Sequence, residues 1–317
     1  MKQTEPESKE KRSSYSRLTP LLMLQLSAPH TWPASILPVL LAGTIVIHNS
    51  ATLLSPVLLF VLLAISILMQ SAVNTLNDYF DFIKGADSKD NQIDPTDAVL
   101  VFNNVRPRSV LLFFLFLMSC AGTLGLYVIY LAGWIPLAIG VVGAAVIYLY
   151  SGGRLPISYL PFGELTSGFV MGGLITLASV QVLTRSFSWL PLLWSTPIII
   201  GIGLIMYTNN TCDLEKDAEA NRKTAAVLQG RSAARRLYHA FLGIWIVVQA
   251  TLVGLWFPNG WILIPFQLLV SWPFLRAIWV NPLILESRVA AMAQILSVNV
   301  LFGTFYALEI LVDACLK

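Results

Sequence analysis

Long apolar segments alternate with short polar segments along almost the whole chain. A helix that crosses the hydrocarbon core of a bilayer needs about 20 mostly apolar residues, and nine segments of roughly this length follow one another. The predicted spans cover residues 31–49, 53–76, 109–131, 134–151, 160–182, 189–209, 237–256, 260–280 and 289–314. Prolines inside several of them agree with this interpretation, because neighbouring helices satisfy the backbone groups that proline frees. The pattern predicts an all-α, polytopic membrane protein with nine transmembrane helices.

The composition supports the membrane assignment. Of the 317 residues, 56% are hydrophobic and 12% are charged, whereas soluble domains average about 25% charged residues. The mean hydropathy is +0.72. A net charge of +3 gives no support for a nucleic-acid partner. Cys120, Cys212 and Cys315 lack the spacing of a metal site or a redox motif, so we interpret them as small buried residues.

Lysine and arginine are distributed unevenly among the polar segments. If nine helices cross the membrane and the N-terminus lies inside, 18 of the 20 basic residues fall on the cytoplasmic side, with Arg185 and Lys317 on the other. This asymmetry follows the positive-inside rule. It predicts a cytoplasmic tail over residues 1–20, one membrane domain over residues 21–317, and function in the long cytoplasmic loops. Compact loops without a transit peptide favour the plasma membrane.

Two strongly polar runs each follow an apolar span directly. The first is NDYFDFIKGADSKDNQIDPTD at residues 77–97, and the second is NNTCDLEKDAEANRKT at residues 209–224. Four predicted spans separate them, and an even number of spans returns the chain to the same side of the membrane. The two runs are therefore expected to face each other at the cytoplasmic surface.

Spacing within the runs predicts which side chains point the same way. Residues four apart share one face of a helix. This spacing relates Asn77 to Asp81 in the first run, and it relates Asn209, Asp213 and Asp217 in the second. Each run thus projects amides and carboxylates in one direction. The alternative interpretation is that both runs are ordinary solvated loops whose acids balance neighbouring basic residues.

Facing carboxylate clusters need a cation between them. Mg²⁺ is the natural candidate, because it prefers oxygen ligands and usually combines one or two carboxylates with substrate phosphates. Such a pair of clusters would stabilise the charge that develops on a departing diphosphate. Nearby basic residues would complete the clamp. The candidates are Arg154, Arg222 and Lys223, with Arg106 and Arg108 in reserve.

These motifs resemble those of the UbiA superfamily of membrane prenyltransferases, and the resemblance extends over essentially the whole chain. Within it, the chain is most similar to the menaquinone-pathway (MenA-type) branch, the 1,4-dihydroxy-2-naphthoate polyprenyltransferases. The branch motif NDYxDxxxGxD is matched by Asn77, Asp78, Tyr79, Asp81, Gly85 and Asp87. The motif NNxxDxxxDxxxGKRT is matched by Asn209, Asn210, Asp213, Asp217 and Thr224. Residues 27–43 and 150–165 resemble two further stretches of the branch.

Three departures from the family pattern leave the acceptor open. Asp87 lies six residues after Asp81, where the superfamily has four, although the MenA-type branch shares the longer spacing. The GKRT box reads NRKT at residues 221–224. The opening Arg-Pro of the family is Ala28-Pro29 here.

The resemblance implies a helical bundle around a central cavity and a reaction with defined site residues. The reaction is Mg²⁺-dependent transfer of a polyprenyl group from its diphosphate to an aromatic acceptor, which in this branch is 1,4-dihydroxy-2-naphthoate with loss of carbon dioxide. The implied metal ligands are Asn77, Asp78, Asp81, Asp87, Asp213 and Asp217, with Asp78 alternatively a supporting residue. The implied substrate-binding residues are Asn77, Asn209, Asn210, Arg154, Arg222, Lys223 and Glu164. The implied catalytic residues are Asp81, Asp213, Tyr150 and Ser151.

Other interpretations remain open at this stage. A secondary transporter would also carry acids among its helices, although transporters place them near the bilayer midplane. A family member with a phenolic, haem or lipid acceptor is a further alternative. An interfacial aromatic belt is an alternative interpretation of Tyr150. Glu309 and Asp313, near the end of the last span, are interpreted as a charge cluster and not as a metal site. The expected partners are the two substrates and the lipid bilayer, and no obligate protein partner is indicated.

Overall fold

The computed structural model describes residues 15–49, 54–85 and 98–317. Within these ranges the chain is helical, and its only β-type pairing is an isolated bridge between Ser16 and Val105. The helices are α1 Pro20–Leu26, α2 Pro33–Asn49, α3 Pro56–Lys84, α4 Val99–Asn103, α5 Pro107–Ala132, α6 Ile135–Ser151, α7 Gly163–Ser167, α8 Ile175–Thr184, α9 Leu190–Trp194, α10 Thr196–Cys212, α11 Leu214–Glu219, α12 Ala225–Gln229, α13 Arg231–Trp256, α14 Ile264–Val280 and α15 Arg288–Leu316. The all-α prediction is confirmed.

Each of the nine predicted segments contains a helix, but the count of nine spans is not confirmed. By length and apolar composition, six helical segments of the described chain are able to cross a membrane, or seven if the bent pair before residue 50 is one span. The segment at 134–151 forms α6, which has only 17 residues. The segment at 189–209 divides at Ser195 into α9 and the 17-residue α10. At 1.5 Å per residue, 17 residues fall short of a hydrocarbon core of about 30 Å.

Helix α3 continues into the first polar run and ends at Lys84. Pro56 stands at its start, where a missing N–H costs nothing, and the Ser55 hydroxyl accepts a bond from the Leu58 amide. Gly85 ends the helix in the left-handed conformation, with a φ of 69°, which glycine adopts without steric cost. Asn77 and Asp81 are therefore held on the last two turns of a rigid helix.

Close packing fixes the second polar run in a similar way. Helices α7 and α8 are joined by a π-helical turn, Gly168–Leu174, which packs against α10. A Cβ atom on Gly168 would lie 2.4 Å from the Ile199 carbonyl oxygen, and one on Gly172 would lie 2.8 Å from the Ile199 amide nitrogen. Only glycine allows the two backbones to approach so closely, and this contact sets the position of α10.

The main apolar core is built by α2, α10, α13 and α15. Helices α3, α5, α6 and α8 complete the bundle and leave a cavity of about 1290 Å³ that they line together with α10 and α15. The predicted central cavity is therefore present. The prediction that all three cysteines are buried is wrong: Cys212 is buried, Cys120 is half-buried and Cys315 is exposed. Cys120 lies on α5, which has few buried residues, and Cys315 lies in the last turn of α15.

Candidate active site

Arg222 joins the two polar runs. Its Nη1 lies 3.2 Å from Asp217 Oδ1 in the second run, and its Nη2 lies 3.7 Å from Asp81 Oδ1 in the first. The guanidinium also lies over the ring of Tyr159, 4.4 Å from its centroid. The expectation that the two runs face each other is met, because one side chain contacts carboxylates of both.

A second arginine holds the other half of the second run. Arg288, the first residue of α15, places Nε 3.2 Å from Asp213 Oδ2. Its Nε and Nη2 also donate to Asn209 Oδ1, at 3.1 and 2.8 Å. Arg288, Asn209 and Asp213 all line the cavity, as do Asn77 and Asp81. The cavity mouth therefore carries carboxylates, amides and guanidinium groups side by side.

The end of α6 lies against the first run. The Ser151 hydroxyl donates to Asn77 Oδ1, and Lys84 Nζ donates to the Ser151 carbonyl oxygen at 2.6 Å. Tyr150 is buried and lines the cavity, so it does not belong to an exposed aromatic belt. Lys84 Nζ also lies 5.1 Å from the ring centroid of Tyr159, the tyrosine under Arg222.

The predicted metal ligand Asp78 contacts backbone amides at the start of α4. The Asp78 carboxylate accepts hydrogen bonds from the amides of Val99 and Leu100, at 2.8 and 3.3 Å, and so it caps α4. This arrangement favours the supporting role that was the alternative for Asp78. Asp87 lies outside the described residues, as do residues 1–14 of the predicted tail.

The remaining predicted residues differ in how near they come to the cavity. Asn210 lines it and donates from Nδ2 to Glu164 Oε1 at 2.8 Å, with the buried Glu164 behind it. Asp217 is buried beneath Arg222. Arg154 and Lys223 are exposed and do not border the cavity, although the Lys223 amide donates to the Tyr159 carbonyl oxygen at 2.9 Å.

Burial and charge pairing shift the ionisation of the bridging pair. Burial raises the pKa of the Asp217 carboxyl, and the opposing effect of Arg222 is too small to cancel this rise. Burial lowers the pKa of Arg222, but the carboxylates of Asp81 and Asp217 raise it more, so its net pKa lies above the ordinary value. Arg222 therefore stays charged at every physiological pH.

The donor set fits Mg²⁺ bound jointly with a phosphate ligand. No three acidic, histidine or cysteine side chains of the described chain form a metal-binding group by themselves. Mg²⁺ commonly binds through one or two carboxylates and takes its other oxygen ligands from water and substrate phosphates. Asp81 and Asp213 border one cavity from the C-terminal ends of two helices, α3 and α10, so hard oxygen donors from both runs are available to the metal.

Three neighbours of the site were not predicted from the sequence: Arg288, Lys84 and Tyr159. Arg288 belongs to the cytoplasmic set of basic residues, but 71 positions separate it from Asp217 and no spacing rule connects them. Lys84 lies three residues after Asp81, on the same helix, and this proximity is the one local signal from which it could have been found.

Comparison with known proteins agrees with this geometry. A model of the UbiA prenyltransferase family matches residues 35–298. The 1,4-dihydroxy-2-naphthoate octaprenyltransferase of Bacillus subtilis (strain 168) is 33% identical over 295 residues, which cover 92% of this chain and 93% of the relative. UbiA prenyltransferase domain-containing protein 1 of Homo sapiens is 30% identical over 220 residues, covering 68% of this chain and 62% of the relative.

A solved structure shares the fold. A UbiA homologue from Archaeoglobus fulgidus, determined with GPP and Mg²⁺ bound, superposes with a TM-score of 0.62 at 15% identity, covering 90% of this chain and 99% of that one. The multiple apolar helices, the matched family model and the relatives together establish a multi-pass membrane enzyme. The chain belongs to the UbiA prenyltransferase family.

Proposed function

We propose that this enzyme transfers a polyprenyl group from its diphosphate to 1,4-dihydroxy-2-naphthoate, with Mg²⁺ and with loss of carbon dioxide. The observation that carries the proposal is the meeting of the two polar runs at the mouth of one apolar cavity, where Arg222 contacts both Asp81 and Asp217. The name of the Bacillus subtilis relative supports the acceptor, and the GPP and Mg²⁺ of the Archaeoglobus structure support the donor and the metal.

The diphosphate would bind at the cavity mouth. The residues proposed to hold Mg²⁺ with it are Asn77, Asp81, Asp87, Asp213 and Asp217. When bound, the metal supplies positive charge to the oxygens of the leaving diphosphate. Arg222 and Arg288 add two guanidinium groups whose planar N–H donors suit phosphate oxygens. Both arginines already border this space, so no large movement is needed to reach the ligand.

The reaction needs the prenyl C–O bond to break first. Its electron pair leaves with the diphosphate, and the tail carries the resulting allylic cation. Tyr150 lines the cavity, and its ring face would stabilise this cation. The ring carbon of the acceptor that bears the carboxylate then bonds to the prenyl carbon. Loss of that carboxylate as carbon dioxide returns its bonding electrons to the ring, so the products are the prenylated diol, diphosphate and carbon dioxide.

The apolar part of the cavity would hold the prenyl tail. Below its mouth, α5, α6 and α8 contribute mostly aliphatic and small residues to the lining. Such a lining excludes water, which would otherwise react with the cation and give an alcohol. We place the mouth on the cytoplasmic side of the plasma membrane, because the basic residues gather on that side in the orientation that the positive-inside rule favours.

The direct test is an acceptor screen followed by mass spectrometry. Purified protein in lipid nanodiscs is incubated with Mg²⁺, a short prenyl diphosphate and a panel of aromatic acceptors. We expect a product from dihydroxynaphthoate that is lighter by carbon dioxide than the simple adduct. Turnover of a phenolic or lipid acceptor in place of the naphthoate would replace the proposed acceptor. Absence of turnover with every acceptor would refute the enzyme proposal.

A further inference from the structure

A line of polar side chains continues from the site into the membrane part of α3. Ser66, Gln70 and Asn74 are spaced by four residues and line the same cavity as Asn77 and Asp81. Polar groups within a spanning helix are costly and are functional candidates by default. Asn77 already pairs with Ser151 at the diphosphate end, whereas Asn74 lies about one turn deeper and Gln70 about two turns deeper.

Hydrogen bonds from the α1–α2 corner fix the orientation of both deeper amides. The Thr31 hydroxyl donates to the Ala28 carbonyl oxygen at 2.9 Å, so its oxygen accepts from Asn74 Nδ2 at 2.8 Å and from Gln70 Nε2 at 3.1 Å. Asn74 Nδ2 also donates to the Ser27 carbonyl oxygen at 3.1 Å. A carbonyl only accepts, so this contact alone determines which end of the Asn74 amide is nitrogen.

The corner that supplies these partners is a strained turn. Ala28 has a φ of 44°, in the left-handed region that residues other than glycine rarely adopt. Four residues further on, at Trp32, the chain bends by 56° between the segments Pro20–Thr31 and Pro33–Asn49. Such strain persists only where the surrounding contacts impose it, and it concentrates at functional sites. Here it directs the Ser27 and Ala28 carbonyls toward Asn74 and Thr31.

The network leaves the amide oxygens for a ligand. Both N–H groups of Asn74 donate to the corner. Its Oδ1, which can only accept, is the remaining polar atom of the amide. Neither Asn74 Oδ1 nor Gln70 Oε1 accepts a hydrogen bond from any residue in the described part of the chain. Both side chains border the cavity. The two acceptor oxygens thus belong to residues that are four positions apart, about 6 Å of helix rise along α3.

We propose that Asn74 and Gln70 bind the acceptor substrate by accepting hydrogen bonds from its ring hydroxyls, with Thr31 holding both amides in that orientation. This inference rests on the proposed function and identifies the acceptor class as an aromatic diol. The position is appropriate, because Asn74 lies close to one turn below Asn77 and so next to the carbon that the departing diphosphate exposes. An acceptor without ring hydroxyls leaves these oxygens unpaired in an apolar cavity, which is costly.

The first experiment needs no mutation. Purified wild-type enzyme, Mg²⁺ and geranyl diphosphate are combined with 1,4-dihydroxy-2-naphthoate or with its two mono-O-methyl ethers, which keep the electron-rich ring but lack one hydroxyl hydrogen. We expect kcat/KM to fall about 10²-fold or more for an ether, because sites built to bind a hydroxyl discriminate strongly against analogues without it. Equal turnover of diol and ethers would overturn the proposal.

Variants then separate hydrogen bonding from a steric effect of the methyl group. Asn74→Leu and Gln70→Leu each remove an acceptor oxygen without enlarging the cavity. Each is expected to lower kcat/KM for the diol about tenfold through KM, and to bring the diol-to-ether ratio within about tenfold of unity. Thr31→Val is expected to reduce the ratio partly, and Thr31→Ser to restore it. The KM for geranyl diphosphate is expected to stay unchanged.

A matched control removes a different buried glutamine. Gln181 donates to the Ala132 carbonyl oxygen at 3.1 Å and does not line the cavity, so Gln181→Leu is expected to keep the full diol-to-ether ratio. If Asn74→Leu and Gln70→Leu slow both acceptors equally and keep the ratio, the amides only pin α3 to the α1–α2 corner and the proposal is wrong. No turnover by the wild type with any acceptor would refute the proposed function instead.

Discussion

The two ends of α15 carry charged residues with opposite roles. At its start, Arg288 contacts Asn209 and Asp213 at the edge of the cavity. Near its end, Glu309 and Asp313 are fully buried. Asp313 accepts from the Asn259 amide at 2.9 Å and pairs with His48 Nε2 at 2.8 Å and Lys317 Nζ at 3.4 Å. The first cluster borders open space, and the second is closed by protein on every side.

The comparison shows that spacing does not identify a site. Glu309 and Asp313 are four residues apart, as are Asp213 and Asp217. What differs is the surroundings: Gln249 donates to Glu309 Oε2 at 3.0 Å in the interior, while Asp213 lines a cavity. The interpretation of Glu309 and Asp313 as a helix-end charge cluster agrees with the contacts of Asp313 with Lys317 and His48. Four predictions would break or sharpen the contrast between the two ends.

The largest effect is expected from the carboxylates at the cavity. Asp81→Ala or Asp213→Ala removes an anionic oxygen donor from one half of the site, and turnover is expected to fall at least about 10³-fold, the upper range for loss of a single preorganised electrostatic group. The measurement is initial rate with geranyl diphosphate and Mg²⁺. Asp313→Asn, at the other end of α15, serves as the control and is expected to keep its rate per folded molecule. Near-normal rates in both cavity variants would contradict the two-run site.

A smaller loss is expected at Arg288. Arg288→Ala leaves Asp213 without its guanidinium partner and removes a phosphate donor, so kcat/KM for the prenyl diphosphate is expected to fall about 10²-fold. Arg288→Lys is expected to recover only part of this, because an ammonium group lacks the planar pair of donors. Arg276, exposed on α14, provides the control Arg276→Ala. An Arg288 variant with unchanged KM and kcat would mean that this end of α15 is only structural.

The depth of the cavity gives a third prediction. A Cβ atom at Gly125 would meet nothing within 4 Å, yet the residue lines the cavity. Gly125→Phe is expected to fill the lumen, lowering kcat/KM for a long prenyl diphosphate about tenfold and leaving geranyl diphosphate nearly unaffected. Gly243→Phe is the matched control, because Gly243 also has open space but lies away from the cavity. Competition between donors, read by product mass, measures the ratio. Equal losses for both donors would contradict a tail-binding role.

The smallest effect is expected from Glu309→Gln. The amide keeps an oxygen for Gln249 and removes a buried ionisable group, so stability is expected to change by less than about 1 kcal/mol and Tm by less than about 3 °C. Turnover is expected to stay at the wild-type value. Thermal melts in nanodiscs, monitored with the rate assay, make the measurement. A large loss of turnover would show that the distant end of α15 communicates with the site.

Much of the fold was available from the sequence. The apolar segments located every long helix, since burying a backbone in lipid requires helical hydrogen bonding. The predicted count of nine spans is not confirmed, because α6 and α10 have 17 residues each, about one turn fewer than the roughly 20 that a span needs. The broken helix at Ser195 and the π-helical turn after Ser167 left no signal in hydropathy.

The candidate site was predictable to the extent that it is local. Asn77 and Asp81, or Asn209 and Asp213, share a helix face by spacing alone, and the even number of segments between the runs placed them on one side. Arg222 was selected because it lies within the second run. Asp78 shares that first run and also lines the cavity, but its carboxylate accepts from the α4 amides, a role that depends on where the chain returns after residue 97.

The sequence by itself determined the class of protein, the helical segments and the two polar runs, because hydrophobic burial and helix periodicity act over short distances along the chain. Only the tertiary structure decided which polar groups share the cavity. Arg288 contacts Asp213 from 75 positions away, and Thr31, in the α1–α2 corner, orients Asn74 on α3. Such contacts depend on how helices pack, and packing is set by the whole set of side-chain shapes and not by any one stretch.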